Sequence, residues 1–247
     1  MTVPALDIQN LVKRFGGLPA TRHVSMRVEA GERRLILGPN GAGKTTLFNQ
    51  ITGDLSPTSG SIRLFGREVT RLPPSRRAHL GIARTYQIVT LFQQDTLEHN
   101  VMLALLGLSR RRYDMFRPLA SVPQMREKAR RALGQVGLDQ LGQRKVSDLS
   151  YGEKRRLEIA LALAQEPKLL LLDEPMAGLS TEERTTVRNL IASIPRSTTL
   201  VMIEHDMDSA LSLVDKVTLL HYGQVLVEGD REAVVAAPQT REVYLGL

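Results

Sequence analysis

Gly38-Pro39-Asn40-Gly41-Ala42-Gly43-Lys44-Thr45 sets a lysine and a hydroxyl residue behind a glycine-rich turn, the G-x-x-x-x-G-K-[ST] spacing that wraps a polyphosphate. Glycines let the backbone curl until successive N–H groups point at phosphate oxygens. A helix starting at the end of the loop adds the positive end of its dipole. In that setting Lys44 supplies a mobile cation for the β- and γ-phosphates, and Thr45 offers its hydroxyl to Mg²⁺. The flanks fit, because the apolar strand Arg34 to Leu37 precedes the loop and a helical run from Thr46 to Gly53 follows it. The expected chemistry is binding and hydrolysis of Mg·ATP, with Gly38, Pro39, Asn40, Gly41, Ala42, Gly43, Lys44, Thr45 and Thr46 forming the nucleotide contacts.

A second group is acidic. Leu169 to Leu172 lead into Asp173-Glu174-Pro175, which places two carboxylates at the carboxyl end of a buried strand, where open α/β sheets hold their ligands. Asp173 suits Mg²⁺ through water, and Glu174 suits the role of general base toward the attacking water. A third group, Leu149-Ser150-Tyr151-Gly152-Glu153, precedes the amphipathic segment Lys154 to Ala164. Ser150 reads as an N-cap there, and the free N–H groups beyond it read as a second anion site.

These groups need a scaffold, and 247 residues at 42% hydrophobic can bury one substantial core with room for an inserted subdomain. Leu6 to Phe15, Val24 to Glu29, Arg34 to Leu37 and Ser61 to Phe65 read as strands, separated by Gly16-Gly17, Gly31 and Gly60. From Gln94 to Leu141 the pattern is helical: Leu97, Val101, Leu105 and Leu108 recur at spacings of three and four, as do Met125, Ala129, Ala132, Leu133 and Val136. Short apolar strands then return at Leu169 to Leu172, Leu200 to Ile203 and Val217 to Leu220, alternating with helices. This predicts a mostly parallel sheet split in sequence by a helical insertion.

The net charge is +7, with basic residues in short clusters at Arg76 and Arg77, Arg110 to Arg112, Arg126 to Arg131 and Lys154 to Arg156. Aromatics are 4%, too few for base-stacking platforms, so these clusters read as solvated helix faces and no nucleic-acid partner is expected. The absence of cysteine excludes a disulfide framework and a thiolate metal site. No apolar stretch reaches the roughly 20 residues of a spanning helix. Met1 to Asn10 lack a basic region followed by an apolar run, so a cytosolic location is the expectation.

In combination, the phosphate loop, the Ser-Tyr-Gly segment and the Asp-Glu strand exit resemble the ATP-binding cassette (ABC) family. The resemblance implies an α/β fold: a P-loop NTPase core with a mostly parallel sheet, an antiparallel β subdomain and an inserted helical subdomain. It places the core and β subdomain at 1–87 and 147–247 and the helical subdomain at 88–146. It also implies a head-to-tail dimer in which Ser150 and Gly152 contact the γ-phosphate of ATP held by the other subunit. Gln87 resembles the glutamine that touches Mg²⁺ and the attacking water, His205 the histidine at the γ-phosphate, and Phe15 the aromatic stacked on adenine; Phe15 also reads as a core or turn residue. Met176-Ala177-Gly178-Leu179-Ser180 departs from the family, which commonly ends this stretch in Asp. Ser180 lacks that carboxylate and instead suits an N-cap.

Gly81 to Gln87, Arg155 to Ala160, Ile203 to Met207 and the Tyr244-Leu245-Gly246 ending resemble the branch that serves importers of branched-chain amino acids and related small solutes. That likeness implies a peripheral subunit on the cytoplasmic face of the membrane, docked on two permeases, with a second ATPase subunit and an extracytoplasmic solute-binding protein. The region from Gln87 to Ser147 resembles the receiver of the permease coupling helix. The alternatives are a nucleic-acid-associated ATPase of the same superfamily and a P-loop nucleotide switch.

Overall fold

The computed structural model describes residues 3–86, 91–114, 116 and 118–245. In chain order its strands are β1 (Leu6–Phe15), β2 (Leu18–Val28), β3 (Arg33–Leu37), β4 (Ser59–Leu64), β5 (Arg67–Glu68), β6 (Ile82–Arg84), β7 (Leu169–Asp173), β8 (Thr199–Ile203), β9 (Lys216–His221) and β10 (Gln224–Asp230). Its α-helices are α1 (Lys44–Thr52), α2 (Pro74–Ala78), α3 (Leu97–Leu108), α4 (Pro123–Gln135), α5 (Tyr151–Leu163), α6 (Thr181–Ser193), α7 (Met207–Leu211), α8 (Arg231–Ala236) and α9 (Pro238–Leu245). The chain divides into two compact units: Met1–Ile82 with Lys168–Glu174 and Ile194–Leu247, and Ala83–Pro167 with Pro175–Ser193. The second unit therefore joins the helical block to α5 and α6.

In the first unit, β7 and β8 are buried along their whole length, with four consecutive apolar residues in each, as expected of strands covered on both faces. They pair in parallel, as do β3 with β8 and β3 with β9, while β10 returns antiparallel to β9. The sheet order is β10-β9-β3-β8-β7-β6, and a separate antiparallel sheet runs β2-β1-β4-β5. Leu47, Phe48 and Ile51 of α1 share one buried cluster with Leu6, Ile8 and Ile62 of the antiparallel sheet and Ile36, Leu171 and Val201 of the parallel one. Each fully buried side chain of this size contributes about 1.5–3 kcal/mol. The helix that follows the phosphate loop is thus fixed by its inner face.

Several sequence expectations need correction. Gly60 lies inside β4, not in a turn. At φ 90° its missing side chain leaves room for the Asn10 carbonyl, which a Cβ would meet at 2.4 Å, where the β1–β4 register slips between Gln9 and Val12. β2 starts at Leu18, six residues before the expected Val24, because irregular pairing with β1 breaks the period-2 pattern over that stretch. Arg77 is not on a solvated face: it is 1% exposed and donates to the carbonyls of Gln50 (2.7 Å), Ile51 (2.8 Å), Leu72 (2.9 Å) and Thr70 (3.0 Å), serving the last turn of α1.

In the second unit, α4 buries Ala129, Ala132 and Leu133, as its spacing predicts. α3 buries Leu97, Val101 and Met102, but Leu105 and Leu108 on the same stripe are only half-buried, so its inner face covers just its first two turns. Buried Glu98 of α3 gathers Arg126 (2.9 Å), Arg130 (3.0 Å) and Gln143 (3.0 Å), which ties α3 to α4. Arg155, from another basic cluster, is also buried. Its Nε donates to the Pro175 carbonyl at 3.0 Å and its guanidinium pairs with Glu158 at 2.8 Å, which seats α5.

Candidate functional site

The glycine-rich loop leaves β3 at Gly38 and enters α1 at Lys44. A Cβ on Gly38 would lie 2.1 Å from the Leu220 carbonyl, and one on Gly43 would lie 2.5 Å from the Ala20 carbonyl, so both glycines are required by close backbone approach. Gly41, at φ 78°, faces open space instead. The Gly223 N–H donates to the Ala42 carbonyl at 2.9 Å, and the Arg22 N–H donates to the Gly223 carbonyl at 2.7 Å. The loop is therefore braced between β2 and the β9–β10 turn. Pro39 is half-buried, and Asn40, Gly41 and Thr45 are exposed. The residue before α1 is Gly43, which has no side chain to cap the first turn, so that turn presents its N–H groups outward at Lys44, Thr45 and Thr46.

Lys44 is buried, at 6% exposure, and its ammonium donates to the Gly38 carbonyl at 2.6 Å and the Pro39 carbonyl at 3.0 Å. Burial pushes its pKa down, and the nearby Glu174 and Asp173 carboxylates partly oppose that. The acidic pair thus stands within electrostatic reach of the loop cation. Asp173 is fully buried as the last residue of β7, in register with Ile203 of β8. The next residue, Glu174, takes a left-handed backbone at φ 48° while its N–H donates to the Ile203 carbonyl at 2.9 Å. That turn brings its carboxylate to His205, whose Nε2 lies 2.8 Å from Glu174 Oε1. An ionised carboxylate only accepts, so Nε2 carries the proton in this contact.

Phe15 ends β1 and is 54% exposed, with the Lys13 ammonium 5.3 Å from its ring centre. It is not a core residue, and its ring is available for stacking at the tip of the hairpin whose second strand supports the loop. Gln87 lies outside the described residues. Among the described residues, no three His, Cys, Asp or Glu side chains form a ready-made metal cage. Thr45 and Asp173 fit the mode that Mg²⁺ favours, in which one or two protein oxygens act beside phosphate oxygens and water.

In the second unit, Ser150 caps α5 in a reciprocal box: its hydroxyl accepts from Glu153 N at 3.2 Å, and the Glu153 carboxylate accepts from Ser150 N at 2.8 Å. The Gly152 N–H, expected to be free, is not: it donates to Glu183 Oε1 at 3.1 Å. Glu183 also accepts from Ser180 N at 3.1 Å through Oε2, and its own N–H donates to the Ser180 hydroxyl at 3.3 Å. Ser180 thus caps α6 as expected. The Ser180 N–H holds the Glu183 carboxyl below its usual range, against partial desolvation, with help from the Ser180 hydroxyl and the Gly152 N–H. Glu183 is the residue that sequence reasoning missed here. Ser180-x-x-Glu183 is itself a capping-box spacing that would have singled it out, although its reach to Gly152 is not visible in one dimension.

A family profile described as ABC transporter matches residues 21–177. Among curated proteins, the chain is 37% identical to the high-affinity branched-chain amino acid transport ATP-binding protein BraF of Pseudomonas aeruginosa, over 100% of this chain and 99% of that one. Among solved structures, it is similar to the ADP conformation of an ATP-binding cassette of an ABC transporter, at TM-score 0.89 and 31% identity, with 100% of each chain covered. It is also similar to a dimeric post-hydrolysis cassette bound to ADP and Pi, at TM-score 0.79 and 25% identity, covering 92% of this chain and 98% of that one. A glycine cradle, a buried lysine and an acid–imidazole pair at a strand exit are thus found in a chain whose likeness to ATP-binding cassettes runs over its whole length, and the chain belongs to the ABC transporter family.

Proposed function

We propose that the chain is the ATP-hydrolysing subunit of an ABC importer, peripheral to the cytoplasmic face of the membrane, that energises uptake of branched-chain amino acids or a related small solute through partner permeases. The observation that carries the hydrolytic part is the 2.8 Å contact between Glu174 and His205, next to a cation loop shaped by close-packed glycines. Full-length similarity to BraF supports the solute class. A partner ATPase subunit completes each nucleotide site, and an extracytoplasmic solute-binding protein delivers cargo to the permeases. Residues 88–146 form the helical subdomain that receives the permease, and 1–87 with 147–247 form the nucleotide-binding core and β subdomain.

In this reading Phe15 stacks on adenine, and the N–H groups of the loop and of the first turn of α1 take the phosphate oxygens. Lys44 moves from its own carbonyls to the β- and γ-phosphates, a short exchange because both Gly38 and Pro39 carbonyls belong to the loop itself. Mg²⁺, held by Thr45, Asp173 and Gln87, would neutralise charge on the phosphates. Glu174 accepts the proton of the attacking water, and His205 fixes the direction of the Glu174 carboxylate and meets the γ-phosphate. Ser150 and Gly152 of the other subunit supply the opposite wall.

The test is the assembled transporter in vesicles, with ATP hydrolysis and solute uptake read together. Glu174→Gln should lower turnover by about 10²–10⁴-fold and abolish uptake while nucleotide still binds. Near-normal hydrolysis in that variant would remove Glu174 from the role of base. Hydrolysis without uptake in the wild-type assembly would remove the importer assignment.

A further inference from the structure

The signature end of the second unit is not an open anion site. One carboxylate bridges two helix starts, with Glu183 Oε1 on the Gly152 N–H of α5 and Glu183 Oε2 on the Ser180 N–H of α6, each at 3.1 Å. The fit is close enough that a Cβ on Gly152 would lie 2.4 Å from Oε1, so a phosphate oxygen cannot use this N–H while Glu183 stays. A small cavity of about 160 Å³ opens here, and Glu153 and Glu182 line it beside Glu183. Arg156 also lines it, but its guanidinium donates to the carbonyls of Val136 (3.0 Å) and Gly137 (3.1 Å). Three carboxylates thus face an approaching phosphate here, against the one cation of Arg156.

We infer that Glu183 is a built-in competitor for the γ-phosphate of ATP presented by the partner subunit, and that closure of the dimer requires this phosphate to displace the carboxylate from Gly152. The inference rests on the proposed function, in which Ser150 and Gly152 complete a site in trans. The geometry favours displacement over loss of the fold: Glu183 can release Gly152 through Oε1 and keep Ser180 through Oε2, so α6 stays capped while α5 accepts the new anion. A nucleotide that ends at the β-phosphate brings no group to this N–H and leaves Glu183 in place. The contact would thus make closure selective for ATP over ADP, and Glu183 would act as a regulatory residue that touches no reacting atom.

The experiment uses the full chain assembled with its partner subunits and measures the ATP concentration that gives half-maximal hydrolysis. Glu183→Gln keeps the length and an accepting oxygen but removes the charge, and it should lower that concentration by about fivefold or more. Glu183→Asp retains charge and the Ser180 cap but falls short of Gly152; it should shift the value in the same direction, which guards against a folding defect in either variant. Ser150→Ala runs in parallel. If Ser150→Ala lowers turnover while both Glu183 variants leave half-saturation unchanged or raise it, the competitor role is overturned and the site in trans stands. If Ser150→Ala has no effect on turnover, the site in trans fails and the inference fails with it.

Discussion

Two helix starts receive phosphate in the proposed function, and each has one of the chain's own charged side chains beside it. At α1 it is a cation that leaves the N–H groups open: the Lys44 ammonium donates to the Gly38 and Pro39 carbonyls. At α5 it is an anion: Glu183 accepts from Gly152 N. In the proposed function the two contacts respond to ATP with opposite sign. An incoming phosphate attracts Lys44 and rewards its release from neutral carbonyls, whereas the same phosphate repels Glu183 and has to replace it. The first start is primed for binding and the second resists it. Under the proposed function that difference sets an order of events, in which nucleotide is captured on one subunit before it is clasped by two.

The supports of the two starts differ as well. The phosphate loop is braced by backbone bonds from Gly223 and Arg22, whereas α5 is seated by the buried Arg155 with Glu158 and the Pro175 carbonyl. Arg155→Met should therefore have the largest effect on stability, about 3–5 kcal/mol, because it strands a buried Glu158. Denaturant unfolding would check it, and a loss below 1 kcal/mol would show that α5 is seated by apolar packing instead. Lys44→Ala should weaken ATP binding by about 10- to 100-fold, the worth of charged hydrogen bonds of about 1.5–3 kcal/mol, with little change in unfolding. Titration calorimetry reads it directly, and unaltered affinity would break the claim that this start is primed.

The smallest expected effect is a proton balance. Burial lowers the Lys44 pKa from 10.5 in the free chain, and phosphate contact should raise it, so ATP binding takes up protons at alkaline pH. The sign follows from linkage: affinity is full below the depressed free-state pKa and falls as pH rises through it toward the bound-state value. Calorimetry in buffers of different ionisation enthalpy should show fractional proton uptake above neutrality that disappears in Lys44→Ala. Proton release at Lys44 on binding would contradict the assignment.

Much of this was legible before the structure. The loop, the acidic exit and the α5 cap are short-range patterns in which residue type and spacing state the geometry, and β3, β7 and β8 follow from apolar runs. What one dimension hides is long-range. The 2.8 Å contact of Glu174 with His205 spans 31 residues, and so does the contact of Gly152 with Glu183. Arg77 looked like part of a solvated pair, because nothing in a run of basic residues tells which one finds four carbonyls. Leu105 and Leu108 continue the helical period of α3 but leave its inner face uncovered, since periodicity gives a side of the helix and not what packs there.

The left-handed backbone of Glu174 at φ 48° has a consequence for how this position can vary. A non-glycine residue held there costs of order 1–3 kcal/mol, and glycine would release that strain. Under the proposed function, then, backbone strain sits at the position that serves as general base, and it is the left-handed turn that aims this carboxylate at His205.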